Sequence, residues 1–368
     1  MKIGLAFLLL LLLSGCFREQ VQPQPHIDGD WKEQISKPLN QNQAFIPYET
    51  INPYTQVIGW IDDTSVILFE EDTDLTKISH YDIFSGEKTV IFESENMMLD
   101  VQLSPNRDII VFQEFQSNSY DNHLIFLDIY GQLTMKLENF GEQYQVHFHP
   151  DKEERIVIVV FLPDWEFETY LLDISQQDMQ MIDLTELHVE WFENGDLAYL
   201  KTKEEGELPI ADLIRLQVEE EQEDIVQERL LAYRYLSDGF YFVVKSHSID
   251  AENSQWTIFQ QDEPLVTLDV PVLTTGTNEW WIPFYDFEQK NKQLLWFKPF
   301  YNDSFFHYQN GFELSQMSLK TGQIDVLFEW PENVPLETSP NGTMLLLGHQ
   351  LEHIYFLEED VLVDVFKK

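Results

Sequence analysis

Residues 99–112 read LDVQLSPNRDIIVF: an apolar strand, a Ser-Pro-Asn turn at 104–106, and a second apolar strand that must return beside the first. Proline fixes φ and asparagine tolerates positive φ, so the turn is tight and the two strands pair antiparallel. The unit recurs as VIGWIDDTSVILF from Val57, VHFHPDKEERIVIVVF from Val146, VEWFENGDLAYL from Val189, YRYLSDGFYFVV from Tyr233, WIPFYDFEQKNKQLLWF from Trp281 and PLETSPNGTMLLL from Pro335. Its turns fall at Asp63, Asn106, Asp151, Asn194, Asp238, Gln289 and Asn341, at intervals of 43 to 52 residues. That interval is the length of a four-stranded propeller blade.

Strands of the first unit are expected at 57–61, 66–69, 79–84 and 89–92, and those of the second at 99–103, 109–112, 123–129 and 133–137. From residue 51 onward no amphipathic helical stretch is long enough to assign, so the chain is all-β. A four-stranded sheet cannot bury both faces alone. The units must therefore stack on one another, and the ring is expected to close where the last meets the first, completed by a segment near 51–57. The count is seven blades. Six with an irregular remainder is the alternative, because units four and five (191–268) have the weakest third and fourth strands.

Acidity dominates the composition. Twenty-two Lys and Arg stand against 65 Asp and Glu, a formal net charge of −43, which repels nucleic-acid phosphates and anionic headgroups alike, so no nucleic-acid partner is expected. At the N-terminus Lys2 precedes an apolar run, 3–13, shorter than a membrane-spanning helix needs. The run ends in Leu-Ser-Gly-Cys at 13–16, the order of a bacterial lipobox, and Cys16 is the single cysteine of the chain. Residues 1–15 read as a lipoprotein signal peptide, Cys16 as the lipidated N-terminus, 16–47 as a Gln-, Asn- and Pro-rich flexible tether, and 48–368 as the propeller. The expected location is the extracytoplasmic face of the cell membrane, held through the lipid on Cys16.

A lipobox, a short polar tether and a divergent propeller with turns Ser104-Pro105-Asn106 and Ser339-Pro340-Asn341-Gly342 together resemble the YqgU-like propeller lipoproteins of Gram-positive spore-forming bacteria. The resemblance implies the address and a six-bladed fold. It implies no catalytic residues, since the family has no assigned activity.

No G-x-S-x-G, H-E-x-x-H, P-loop or G-x-G-x-x-G occurs, and neither a cofactor nor a metal is expected. His147 and His149 share a strand face but begin a blade, so they read as hydrogen-bonding histidines, and His349 with His353 falls on a hairpin rather than a helix. The acidic run EEEQED at 219–224 reads as a solvated turn between the third and fourth strands of unit four.

The least ordinary stretch is 280–312, where aromatics crowd the strands and the connection 298–311. Second-to-third strand loops and interblade loops share one rim, which should carry Phe300, Tyr301, Phe305, Phe306 and Tyr308 beside Asp72, Asp74, Asp121, Asp164, Trp165, Glu204, Glu205, Asp250 and Asp303. This acidic, aromatic-edged rim is the expected contact for a protein or cell-envelope ligand. The alternative is a hydrolase or lyase at the channel mouth whose acid and base are paired rim carboxylates such as Asp164 and Asp303.

Overall fold

The computed structural model describes residues 45–116, 121–152, 154–163, 166–203, 210–248, 250–274 and 282–367. Within them the chain forms seven four-stranded antiparallel sheets, each made from one contiguous segment with its strands in sequence order. Blades 1 to 7 span residues 56–94, 97–138, 143–182, 189–230, 232–271, 285–330 and 336–364. The count of seven stands, and six is set aside.

The physical logic of each blade is legible strand by strand. The second and third strands are sandwiched between neighbouring blades and are therefore apolar on both faces: Ser65–Glu71, Arg155–Phe161 and Phe240–Lys245 each hold five consecutive buried residues. Fourth strands form the outer circumference and are mostly exposed, as in Lys88–Ser94 and Glu263–Pro271. This corrects the expectation for units four and five. Their third and fourth strands, Ala211–Gln217 with Gln222–Leu230 and Asn253–Gln260 with Glu263–Pro271, are fully formed and long. The fourth strand of each looks weak in sequence because most of it is open to water. The acidic run 219–224 does straddle the turn between Ala211–Gln217 and Gln222–Leu230.

First strands meet one another around the axis: that of blade 1 touches those of blades 2 and 7, blade 4 touches blade 5, and blade 6 touches blade 7. Hydrophobic clusters bridge blades 1 and 2, 2 and 3, 3 to 5, 5 and 6, 6 and 7, and finally 7 and 1. The last cluster sets Val57, Trp60 and Leu68 against Leu346, Ile354 and Phe356, so the ring is closed by packing rather than by a shared sheet. The terminal segments add a clasp outside the blades. It is not 51–57 that supplies it but Tyr48–Glu49, which pairs in parallel with Phe366–Lys367, while the Tyr48 hydroxyl donates to Glu70 Oε1 at 2.7 Å.

Candidate binding site at the channel mouth

One position repeats through the inner strands. Four residues before each first turn stand Gly59, Gln102, His147, Glu190, Arg234, Tyr285 and Glu337. These form a mostly polar layer on the inner strands, and two of them on neighbouring blades, Glu190 and Arg234, are ion-paired. Arg234 Nη1 lies 2.7 Å from Glu190 Oε1 and donates to the Tyr233 carbonyl at 3.0 Å. Burial raises the Glu190 carboxyl pKa, with Arg234 opposing the rise. His147 is held at about 4 by burial, reinforced by Arg234 and His188, so its imidazole is neutral.

On the side of the first turns the channel widens into a cavity of about 670 Å³. Its floor carries Glu337 and Asp286, from the inner strands of blades 7 and 6, and Arg107 from the turn of blade 2. Glu337 Oε1 accepts the Trp60 backbone N–H at 3.3 Å and lies 3.6 Å from Arg107 Nη2. Asp286 Oδ2 accepts the Thr338 N–H at 2.8 Å. Burial, with Asp286 adding to it and Arg107 and the Trp60 N–H opposing, pushes Glu337 up to about 8, and burial also raises Asp286. Gly59 makes room for this carboxylate, because a Cβ there would lie 2.5 Å from Glu337 Oε2.

The mouth is cross-braced on its far side. Asp151 of the blade 3 turn accepts from the Tyr235 hydroxyl at 3.0 Å and from the Asp238 N–H at 3.1 Å, both on blade 5. His149 anchors that turn: its Nδ1 accepts the N–H groups of Asp151 and Lys152 at 3.0 and 3.1 Å, which leaves the proton on Nε2. The ring lies 4.7 Å from the Trp191 ring and is held at about 4 by burial. Among the described residues no cluster of three or more His, Cys, Asp or Glu could hold a metal.

The expected rim lies at the opposite end of the channel. Asp72 and Asp74 are exposed in the blade 1 loop, and Asp72 Oδ1 accepts the Thr73 N–H at 2.7 Å. Asp121 opens a strand of blade 2, Asp250 is exposed on blade 5, and Asp303 belongs to the short parallel pair Leu273–Thr274 with Asp303–Ser304. These acids are spread over four blades. Asp164, Trp165, Glu204 and Glu205 lie outside the described residues, as does Cys16. The aromatic loop divides in two. Tyr308 is buried, its hydroxyl accepting the Phe300 N–H at 2.9 Å and donating to the Gly311 carbonyl at 2.5 Å, and Phe305 packs on the core of blades 6 and 7. Phe300, Tyr301 and Phe306 remain 42%, 39% and 47% exposed, with Phe284 of the adjoining connection at 44%.

Sequence reasoning missed the channel acids. Glu337 and Asp286 are single carboxylates in a chain with 65, and neither belongs to a motif. The usable signal was positional and reached Glu337 alone: it stands four residues before its turn, as do the other members of the inner layer, whereas Asp286 stands three before Gln289 and falls outside that rule.

The fold and its inner ring define a propeller of contiguous four-stranded blades with a cavity at one channel mouth. The family described as the YqgU-like 6-bladed beta propeller domain matches residues 82–348, and the chain belongs to it. The matched span runs from the end of the third strand of blade 1 to just past the second strand of blade 7, and the described residues form seven four-stranded sheets. An uncharacterized lipoprotein, YqgU of Bacillus subtilis strain 168, is 21% identical over 357 residues, covering 95% of this chain and 92% of that one. The crystal structure of uncharacterized protein lmo1340 from Listeria monocytogenes EGD-e superposes with a TM-score of 0.80 at 14% identity, over 88% of this chain and 98% of that one. The β-propeller domain of the Trilobed protease from Pyrococcus furiosus, described as having an open velcro topology, gives a TM-score of 0.58 at 10% identity, over 85% and 98%. Both structures support the fold alone.

Proposed function

We propose that the protein is an extracytoplasmic lipoprotein, anchored through Cys16, that presents the rim of blade 6 to a protein or cell-envelope partner. The observation that carries this reading is the divided aromatic loop. Tyr308 and Phe305 fix its backbone, and that fixed backbone leaves part of the Phe300, Tyr301 and Phe306 rings open to solvent. Aromatic side chains held rigid in this way offer large contact area with little conformational entropy left to lose on binding. The surrounding negative charge disfavours anionic wall polymers and favours a neutral or basic partner.

Site-specific photocrosslinking in living cells tests the rim. A crosslinker at Phe306 should yield a discrete adduct, while one at Tyr130, exposed on the opposite end of blade 2, should not. Equal adduct patterns at both positions, or none at either, would remove the rim from the account. The anchor is tested separately: Cys16→Ser should release the protein from the membrane fraction, and a variant that stays bound and normally processed would refute lipidation.

A further inference from the structure

The seam between the last and first blades carries two large side chains that the fold leaves uncovered. Between the clasp and the inner strand of blade 1 the chain makes a short connection, 50–55, at the same end of the propeller as the blade 6 aromatic loop and separated from it by blade 7. Asn52 braces it. Its N–H donates to Thr50 Oγ1 at 3.1 Å, its Oδ1 accepts the Tyr54 N–H at 3.0 Å, and its Nδ2 donates to the Glu71 carbonyl of blade 1 at 2.7 Å. The Thr50 N–H donates to the Lys367 carbonyl at 3.1 Å, and the Val57 N–H to the Gln350 carbonyl of blade 7 at 3.0 Å. The connection is thus tied to both blades, yet Ile51 is 98% and Tyr54 66% exposed. Apolar side chains on a backbone already fixed have little conformational freedom left to lose on contact.

The charge around them says what covers them. Glu71, Asp72 and Asp74 stand beside the connection, all exposed and without an ion pair among the described residues. The lysines of this corner are already placed: Lys88 is paired with Glu70, Lys367 lies 2.7 Å from Glu49, and Lys77 sits in register between Glu70 and Glu93. On the blade 7 side His349 meets Glu332 at 3.1 Å and His353 meets Asp364 at 2.7 Å. Acids outnumber the lysines here even after every pair is counted.

We propose that the 50–55 connection, with the acidic loop 71–74 beside it, is a docking site for a basic amphipathic segment of a partner protein. Its apolar side chains cover Ile51 and Tyr54, and its Lys or Arg side chains meet Glu71, Asp72 and Asp74. Both halves are needed. An anionic polymer, or a second copy of this chain with its net charge of −43, is repelled, and a cation without apolar side chains gains nothing from Ile51. The site shares no residue with the blade 6 rim, so either surface can fail without the other.

Fluorescence anisotropy of a labelled amphipathic Leu–Lys peptide against the intact protein tests the site, in about 0.15 M salt so that diffuse attraction is screened. Saturable binding of one peptide per chain is expected, with a Ser–Lys peptide of the same pattern at least tenfold weaker and a Leu–Glu peptide not bound. Ile51→Ser combined with Tyr54→Ser should weaken the Leu–Lys peptide about tenfold or more. Glu71→Gln with Asp74→Asn should weaken it and lower its salt dependence, while Phe306→Ser on blade 6 and Tyr130→Ser at the opposite end should leave it unchanged. All these side chains are exposed, so the variants keep the fold. Absence of saturable Leu–Lys binding, equal binding of the Ser–Lys peptide, parental affinity in the Ile51 and Tyr54 double variant, or a comparable loss in either control would each overturn the proposal.

Discussion

Trp60, on the inner strand of blade 1, donates its indole Nε1–H to the backbone carbonyl of Glu337, on the inner strand of blade 7, at 3.1 Å. The same device joins blades 4 and 3, where Trp191 Nε1 donates to the His147 carbonyl at 2.8 Å. Blade 5 follows suit, with the Tyr233 hydroxyl donating to the Trp191 carbonyl at 3.0 Å. Neighbouring blades are thus tied through their inner strands by an aromatic donor. At the seam between first and last blade this tie replaces the shared sheet that a strand exchange would provide.

Removing the tie should therefore loosen the seam. Trp60 is fully buried, so Trp60→Phe loses a buried hydrogen bond and some volume, a destabilisation of about 1 to 3 kcal/mol. Trp60→Ala should lose about 3 to 5 kcal/mol. Urea unfolding followed by fluorescence measures both, and Trp191→Phe should fall in the same range as Trp60→Phe.

Stability should pass through a maximum between weakly acidic and neutral pH, for two opposed reasons. His147 and His149 titrate at about 4 in the folded state against an ordinary 6.5, so between those values the unfolded chain binds more protons and stability rises with pH. Glu337 titrates at about 8 against 4.5; there the folded chain holds the extra proton, and stability falls as pH rises through that window. Each group contributes a slope of at most about 1.4 kcal/mol per pH unit where it is fully protonated in one state and not in the other. Glu337→Gln should flatten the limb between about pH 6.5 and 8 and steepen the rise between 4.5 and 6.5, where Glu337 opposes the two histidines, as read from urea midpoints between pH 4.5 and 9.

Much of this architecture was legible because the second and third strands of a blade must be apolar on both faces. Runs such as VILF at 66–69 and IVIVV at 156–160 declare themselves. The outer strands did not. Gln222–Leu230 reads QEDIVQERL, with Ile225, Val226 and Leu230 as its only apolar residues, because this outer strand is largely open to water, and such a segment looks like a loop in sequence. The seam clasp Tyr48–Glu49 with Phe366–Lys367 is only two residues on each side, too short for any periodicity to show. The rim aromatics were visible as a cluster, but which of them would be consumed in packing depended on the tertiary contacts of Tyr308 and Phe305.

Two glycines should respond differently to alanine. At Gly59 the added methyl meets only the carboxylate end of Glu337, a side chain that can withdraw, so Gly59→Ala should destabilise modestly, by about 1 to 2 kcal/mol. Its signature is at the cavity: the displaced carboxylate should lose the alkaline pH dependence described above. At Gly131, with φ +82°, the methyl would lie 2.1 Å from the Ile91 backbone carbonyl oxygen of blade 1. Neither the turn nor the neighbouring strand can yield there without breaking pairing, so Gly131→Ala should be the worse of the two in thermal unfolding.

The rim loop separates scaffold from surface within a few residues, and that separation can be measured. Tyr308→Phe removes the hydroxyl that both accepts the Phe300 N–H and donates to the Gly311 carbonyl, leaving two backbone groups of a partly buried loop to find other partners. A loss of about 1 to 3 kcal/mol is expected, with faster hydrogen exchange confined to residues 299–311. Phe306→Ser removes a ring that is nearly half exposed and touches Phe305 edge-on, so its stability should stay within about 0.5 kcal/mol of the parent. Its effect should appear instead in partner recovery. If Phe306→Ser destabilised the propeller as much as Tyr308→Phe, the exposed rings would be packing elements in solution, and the case for a recognition surface at blade 6 would fall with them.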